Sequence, residues 1–290
     1  MILSVNALDL AITSNVNHYS MSLVNDKYCT NLEVELNYED LLEKFYTNII
    51  KENDLVIDIG AHSGRHTKPM ASLVGPSGMV MAFEPNPSAR QWLQGNLKNE
   101  VKNNIVSIFP YALSDKSQKM QFVIANDRPE ESGLKKRVYN GPTTTSTIEV
   151  EVVTLDSLMD NFSSPVKFIK LDVEGAEFDA LKGAHDVLET YKPIIAFEFG
   201  ESSYKSYNVQ PAELYDYLQV LGYRIYSILG EILDKDAFVQ ASRVQKYWDY
   251  IACPEHRIEL VESAFRSSQT ISAKHAISSW KKFSISKWFR

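Results

Sequence analysis

Four carboxylates stand late in apolar runs: Asp58 in "LVIDIG" (55–60), Glu84 in "MVMAFEP" (79–85), Asp172 in "VKFIKLDVEG" (166–175) and Glu198 in "PIIAFEFG" (193–200). If these runs are neighbouring strands, the acids line one edge of a sheet. Asp172 and Glu174 are the catalytic candidates, with Asp172 first. A hydroxyl is a poor nucleophile at neutral pH and gains from a positioned base. Glu174, Glu177 and Glu198 would raise the Asp172 pKa by like-charge repulsion, or share a divalent cation with it. Carboxylates with no paired His read equally well as acids, so no metal ligand is assigned. Glu174 and Glu177 also fit the acids that favour a helix N-terminus. Lys170 either neutralises this group or lies at the surface.

The second chemical signal is "VIDIGAHSG" (56–64). A strand that ends at glycine before a helix lets a ligand meet backbone N–H groups. A pyrophosphate turn reads G-x-G-x-x-G. Here Ala61, His62 and Ser63 separate Gly60 from Gly64, which suits a smaller group, such as the amino acid end of S-adenosyl-L-methionine. His62 is a base, a cofactor contact or a helix cap. Glu84 follows Gly64 by twenty residues, where a carboxylate accepts both ribose hydroxyls and repels a 2′-phosphate. Either acid alone could cap a helix or face solvent; the pair at this spacing points to a nucleoside.

These residues need a scaffold, and the patterning supplies one. "NYEDLLEKFYTNIIKEND" (37–54) has one apolar face and predicts a helix. Strands and helices then alternate: strand 55–60, helix to about Leu73, a break at "GPSG" (75–78), strand 79–85, helix 88–99 and strand 104–113. Strand-like "KMQFVIA" (119–125) and "TIEVEVVTLDSLM" (147–159) enclose a polar loop at 126–146. Strand 166–172, a helix to about Leu188, strand 193–200, a helix at 211–223 opening on Pro211, and a final strand pair at 224–229 and 247–254 complete the series. Residues 1–36 show no clear periodicity. Such alternation implies a largely parallel sheet with helices on both faces and a ligand crevice at the strands' carboxyl ends.

The chain has 290 residues, 44% hydrophobic and 23% charged, enough for one large α/β domain with extensions. Cys29 and Cys253 make no disulfide framework, which favours a reducing, cytoplasmic compartment. The N-terminus lacks a basic region before its short apolar stretch, and no later segment reaches membrane-spanning length. Net charge is −7, but the last twenty residues hold five Lys or Arg and no acid, so the other 270 are five units more acidic, at −12. An acidic body argues against nucleic acid as a partner.

The ordered set "VIDIGAHSG", "VMAFEPNP", "YALSD", "VVTLDSL" and "FIKLDVEGAEFDALKGA" resembles the FkbM-type family of S-adenosylmethionine-dependent methyltransferases, over about 54–200. The resemblance implies a class I methyltransferase fold, a Rossmann-like α/β sheet of seven mostly parallel strands with the last antiparallel. It also implies methylation of a hydroxyl, often on a sugar or polyketide-type molecule. Carried over, Asp58, Gly60, Ala61, His62 and Gly64 surround the methionine part. Glu84 holds the ribose, with Pro85 and Asn86 beside the adenosine; Ala112 and Leu113 flank adenine, and Asp115 is a weaker contact to its amino group. Lys170, Asp172, Glu174, Gly175 and Glu177 match the family's acidic motif.

The expected function is methyl transfer to a sugar, glycan or glycosylated small molecule. The alternatives are a nicotinamide-dependent oxidoreductase, disfavoured by the missing third glycine, and a scaffold that binds the cofactor without turnover. Arg128, Lys135, Lys136, Arg137 and Tyr139 lie in the 126–146 loop, either as a solvated loop or as a lid over the methyl acceptor. Tyr204, Ser206 and Tyr207 could stack on a sugar or pack in the core. In the tail (257–290), Ala273, Ala276, Ile277, Trp280, Phe283 and Trp288 share one side of a helical wheel. Lys274, Lys281, Lys282 and Arg290 add charge, which suits docking on the domain, a protein partner or peripheral contact with an anionic membrane through 271–290.

Overall fold

The computed structural model describes the backbone of residues 14–15, 18–25 and 28–33 and all of 37–139 and 141–268. The tail at 271–290 lies outside the described residues. The chain divides into two compact units, 1–41 and 42–290. In the first, β1 (Ser14–Asn15), β2 (His18–Asn25) and β3 (Tyr28–Glu33) form an antiparallel sheet in that order, a structure the sequence pattern did not reveal.

Helix α1 (Tyr38–Thr47) is shorter than the periodicity predicted. It ends where the Asn48 side chain bonds the Lys44 carbonyl, and the N–H groups of Ile49 and Ile50 turn back to Tyr46. The alternation then runs as expected: β4 (Leu55–Ile59), α2 (Thr67–Val74), β5 (Met79–Phe83), α3 (Pro87–Asn96), α4 (Lys98–Lys102) and β6 (Val106–Phe109). The predicted strand 104–113 is two strands. Pro110 has no N–H for a ladder, and beyond it β7 (Ala112–Leu113) joins an accessory sheet with the hairpin β8 (Gln118–Ala125) and β9 (Thr145–Val153), in the order β7-β9-β8.

The chain returns to the main sheet with β10 (Val166–Leu171), α5 (Glu177–Lys182), α6 (His185–Tyr191), β11 (Ile194–Glu198), α7 (Glu201–Tyr204), α8 (Pro211–Val220), β12 (Tyr223–Ser227), β13 (Ile232–Leu233), α9 (Lys235–Arg243) and β14 (Asp249–Pro254), followed by helical residues 258–268. The helix expected to run to Leu188 is divided in two. Asp156 accepts the N–H groups of Asp186 and Val187 at 3.1 and 3.0 Å and so starts α6 as a separate helix.

The main sheet has the order β13-β12-β14-β11-β10-β4-β5-β6. Strands β4, β5, β6, β10 and β11 pair in parallel; β14 is antiparallel to both β11 and β12. The seven strands expected are present, and β13 adds an eighth, because a tight turn through Gly230 brings Glu231 back to accept the Ser227 N–H at 2.9 Å. Strand β4 is apolar apart from Asp58 and buried throughout, as a strand covered on both faces must be. From β4 the chain moves outward to β5 and β6, and β10 lies on its other side. The switch point, where a ligand crevice forms, is therefore between the carboxyl ends of β4 and β10.

Candidate active site

At the end of β4 the backbone enters a turn with positive φ at alternate residues: Gly60 at 82°, His62 at 45° and Gly64 at 91°. Gly60 and Ala61 both donate to the Phe83 carbonyl at 3.0 Å, which locks the turn to β5. A β-carbon on Gly64 would stand 2.8 Å from Leu93. The turn occupies the residues before α2, so the helix starts later than the glycine pattern predicted.

Asp58 precedes this turn and is 1% exposed. Its Oδ2 accepts from the Thr67 hydroxyl at 2.6 Å, while Oδ1 is enclosed with no partner. A buried carboxyl oxygen without a donor is costly, and a cationic amino group would satisfy it. The donor set of a methionine moiety therefore fits here. Thr67 was not visible as a site residue in the sequence; its only mark is a hydroxyl nine residues beyond the acid.

Glu84, just past β5, spans two turns. Oε2 accepts the His62 N–H at 2.8 Å and Oε1 accepts the Asn86 N–H at 2.7 Å. Burial pushes its pKa up to about 7, partly offset by those N–H groups and by Arg90. Each oxygen keeps a further lone pair for a ribose hydroxyl. Asn86 has a structural task as well: its Oδ1 accepts the Ser88 N–H at 3.1 Å and caps α3, which opens on Pro87. Arg90 donates to the carbonyls of Glu84 and Pro85 at 2.9 and 3.0 Å, holding this bend.

Glu84 N–H donates to the Phe109 carbonyl, and the chain leads from there to Ala112 and Leu113. Both are buried in β7, opposite Val152 and Val153, and both belong to the hydrophobic core. Asp115 accepts from the Ser114 hydroxyl at 3.4 Å.

His62 is half-buried. Its Nε2 is enclosed without a partner, and its ring meets exposed Trp92 edge-on at 6.1 Å. Burial lowers its pKa, against the charges of Glu130 and Asp172 and together with Lys170. Trp92 was not singled out from the sequence, although it is the one aromatic residue in a polar helix.

The acidic motif gathers beside this turn. Asp172 N–H donates to the Ile59 carbonyl at 3.0 Å, joining the ends of β10 and β4. Lys170 lies opposite Asp58 in the register of those strands and its ammonium meets Asp172 at 3.0 Å, so it pairs with that acid. Glu174, at φ 58°, is ion-paired with Arg137. Asp172, Glu174 and Glu198 offer oxygens within 4.8 Å of one another, and two of the three have a cationic partner from the chain. Glu198 is held well above the usual carboxylate range by burial first, then by the charges of Asp172, Asp249 and Glu177.

Glu177 has a different role. It is 1% exposed, and its Oε1 accepts the N–H groups of Val173 and Gly175 at 3.0 and 3.1 Å. It braces the turn into its own helix, and burial raises its pKa to about 7. The 126–146 loop is not merely solvated: Arg137 is 8% exposed and Lys135 N–H bonds the Tyr207 hydroxyl at 3.0 Å. Tyr204 stacks on Phe199 at 4.7 Å in the core, and Tyr207 is likewise buried.

The parallel order around β4 with antiparallel β14 inserted between β11 and β12 is that of a class I methyltransferase, with one strand added at the edge. Residues 58–225, more than half of the chain, match the methyltransferase FkbM domain, and the chain belongs to that family. The hexuronic acid methyltransferase AglP of Haloferax volcanii is 26% identical over 146 residues, which are 50% of this chain and 56% of that protein. This chain thus spans little more than half the length of that relative. Among solved structures, the methyltransferase FkbM from Methylobacillus flagellatus KT aligns at TM-score 0.44 and 16% identity, over 72% of this chain and 50% of that one. A SAM-dependent O-methyltransferase from Thermotoga maritima aligns at 0.39 and 16%, over 78% and 68%. At these TM-scores the family match, not the structural likeness, carries the assignment.

Proposed function

We propose that this chain is an S-adenosyl-L-methionine-dependent O-methyltransferase that moves a methyl group to a hydroxyl of a sugar, glycan or glycosylated small molecule. The observation that carries the reading is the pairing of two buried carboxylates across the β4–β5 ends. Asp58 has an unfilled oxygen for an ammonium group, and Glu84 is fixed by two backbone N–H groups for ribose hydroxyls. The family match supports methyl transfer, and the relative that acts on a hexuronic acid supports a sugar.

When bound, the sulfonium supplies a methyl group for in-line displacement, so positioning is the main task of the protein. Asp58, Gly60, Ala61, His62 and Gly64 surround the methionine part; Glu84, Pro85 and Asn86 hold the nucleoside. Asp172 stands beside the turn and accepts the proton of the attacking hydroxyl; the Lys170 ammonium meets it at 3.0 Å, and Glu174 completes the acidic wall. No helix among the described residues is long and apolar enough to cross a membrane.

Calorimetry with S-adenosylhomocysteine and with NAD tests the cofactor. Tritiated methyl transfer into a lysate from cells lacking the gene tests the methyl acceptor. Binding of the homocysteine product and label in glycan are expected. Binding of NAD alone overturns the cofactor, and label confined to RNA or protein overturns the class of methyl acceptor.

A further inference from the structure

The loop between β8 and β9 crosses the acidic edge of the sheet. Gly133 exchanges backbone hydrogen bonds with Val123 at 2.8 and 3.1 Å. The Lys135 ammonium lies 4.6 Å from the centre of the Tyr207 ring. Arg137 then turns inward, where Nη1 pairs with Glu174 and Nη2 donates to the Ser202 hydroxyl at 3.0 Å.

A buried guanidinium is expected to have its donors used. Arg137 is 8% exposed, yet its Nε–H is enclosed with no partner. Two residues on, the Tyr139 hydroxyl is enclosed and unpartnered as well. Burial raises the pKa of that phenol first and the Glu131 charge next, while the Arg137 charge opposes both. Unused donors of this kind, one of them cationic, gather where an anion is to be received. Glu174 fills only the Nη1 end of the fork. The edge carrying Nε is the one that grips a planar carboxylate through parallel hydrogen bonds.

We infer that Arg137 and Tyr139 recognise the methyl acceptor, and that the group they take is a carboxylate on it. The inference rests on the proposed methyl transfer beside Asp172 and adds its specificity: an acidic sugar is chosen over its neutral counterpart. Asp172 and Glu174 already take up the charges of Lys170 and Arg137, so an acidic molecule needs a donor edge that these pairs leave open. Arg137 supplies it from the loop, and Lys135 anchors that loop to Tyr207. Held by its carboxylate, the sugar has its hydroxyls directed along the wall formed by Asp172 and Glu174.

Calorimetry on the full chain tests this, first with S-adenosylhomocysteine and then, with that product bound, with methyl β-D-glucuronide and methyl β-D-glucoside. The unaltered protein is expected to bind the glucuronide at least ~30-fold more tightly than the glucoside. Tyr139→Phe, which removes one hydroxyl and leaves the Glu174 ion pair intact, should weaken the glucuronide by ~5-fold and leave the glucoside unchanged. Arg137→Lys, which keeps the charge and loses the fork, should cost ~10-fold or more on the glucuronide alone. Equal affinity for the two glycosides, binding of neither, or full glucuronide affinity in both variants overturns the inference while the methyltransferase reading stands. Failure to bind S-adenosylhomocysteine overturns that reading and this inference with it.

Discussion

The carbonyl oxygen of Asp172 lies in the space that a β-carbon on Gly60 would fill: the two would be 1.7 Å apart. Gly60 is thus the contact at which β4 and β10 close on each other, besides being a flexible turn residue. Its φ of 82° adds a second restriction on any side chain. Gly60→Ala should lower the free energy of unfolding by about 3 kcal/mol. Urea denaturation checks this; a near-native midpoint would mean that the Asp172 carbonyl can yield.

Glu84 should make both stability and cofactor affinity depend on pH. Its ordinary value is 4.5, and burial raises it to about 7 in the folded chain. Between those values the native state binds more protons than the unfolded state, so the contribution of Glu84 to stability is present below about 4.5 and lost as pH rises to about 7. Glu84→Gln should therefore flatten the fall in stability across that window by up to about 1.4 kcal/mol per pH unit. In the proposed function, ribose binding draws on the ionised form of Glu84. Affinity for S-adenosylhomocysteine should weaken as pH drops below about 7 by up to tenfold per unit, a dependence that Glu84→Gln removes.

Asp172→Asn keeps the shape of the side chain and removes the proposed base. Methyl transfer should fall by about 10²- to 10⁴-fold, while the affinity for S-adenosylhomocysteine in calorimetry stays within about threefold. Unchanged transfer would move the base elsewhere on the acidic wall. A parallel loss of affinity would instead make Asp172 a cofactor residue.

Glu177→Ala should destabilise the chain by about 2–4 kcal/mol, because the N–H groups of Val173 and Gly175 lose the oxygen that now accepts both. Glu177→Gln retains an acceptor at that point and should keep most of the stability. Equal melting temperatures for the two variants would remove Glu177 from the turn's support.

Legibility differed sharply along the chain. The strand–helix alternation from Leu55 to Val106 followed the pattern because buried parallel strands are continuous apolar runs and their helices carry one apolar face. Strand β13 was not visible, since two residues carry no periodicity. Pro110 marked a division that the apolar run 104–113 concealed. Asn86 reads as a nucleoside neighbour in sequence, and the structure also gives its side chain the cap of α3.

The sequence by itself determined the local chemistry: a glycine turn after Asp58, an acid closing the next strand, and an acidic motif around Asp172. Each is encoded within a few residues, where spacing and backbone preference suffice. Only the tertiary structure decided which distant groups these residues meet. Glu198 comes to Asp172 and Glu174 because β11 pairs with β10, and Arg137 comes to Glu174 because the β8–β9 loop folds over the sheet edge. The Lys170–Asp172 pair lies within one short window of sequence, but Arg137 and Glu198 reach the acidic motif from elements that no such window contains.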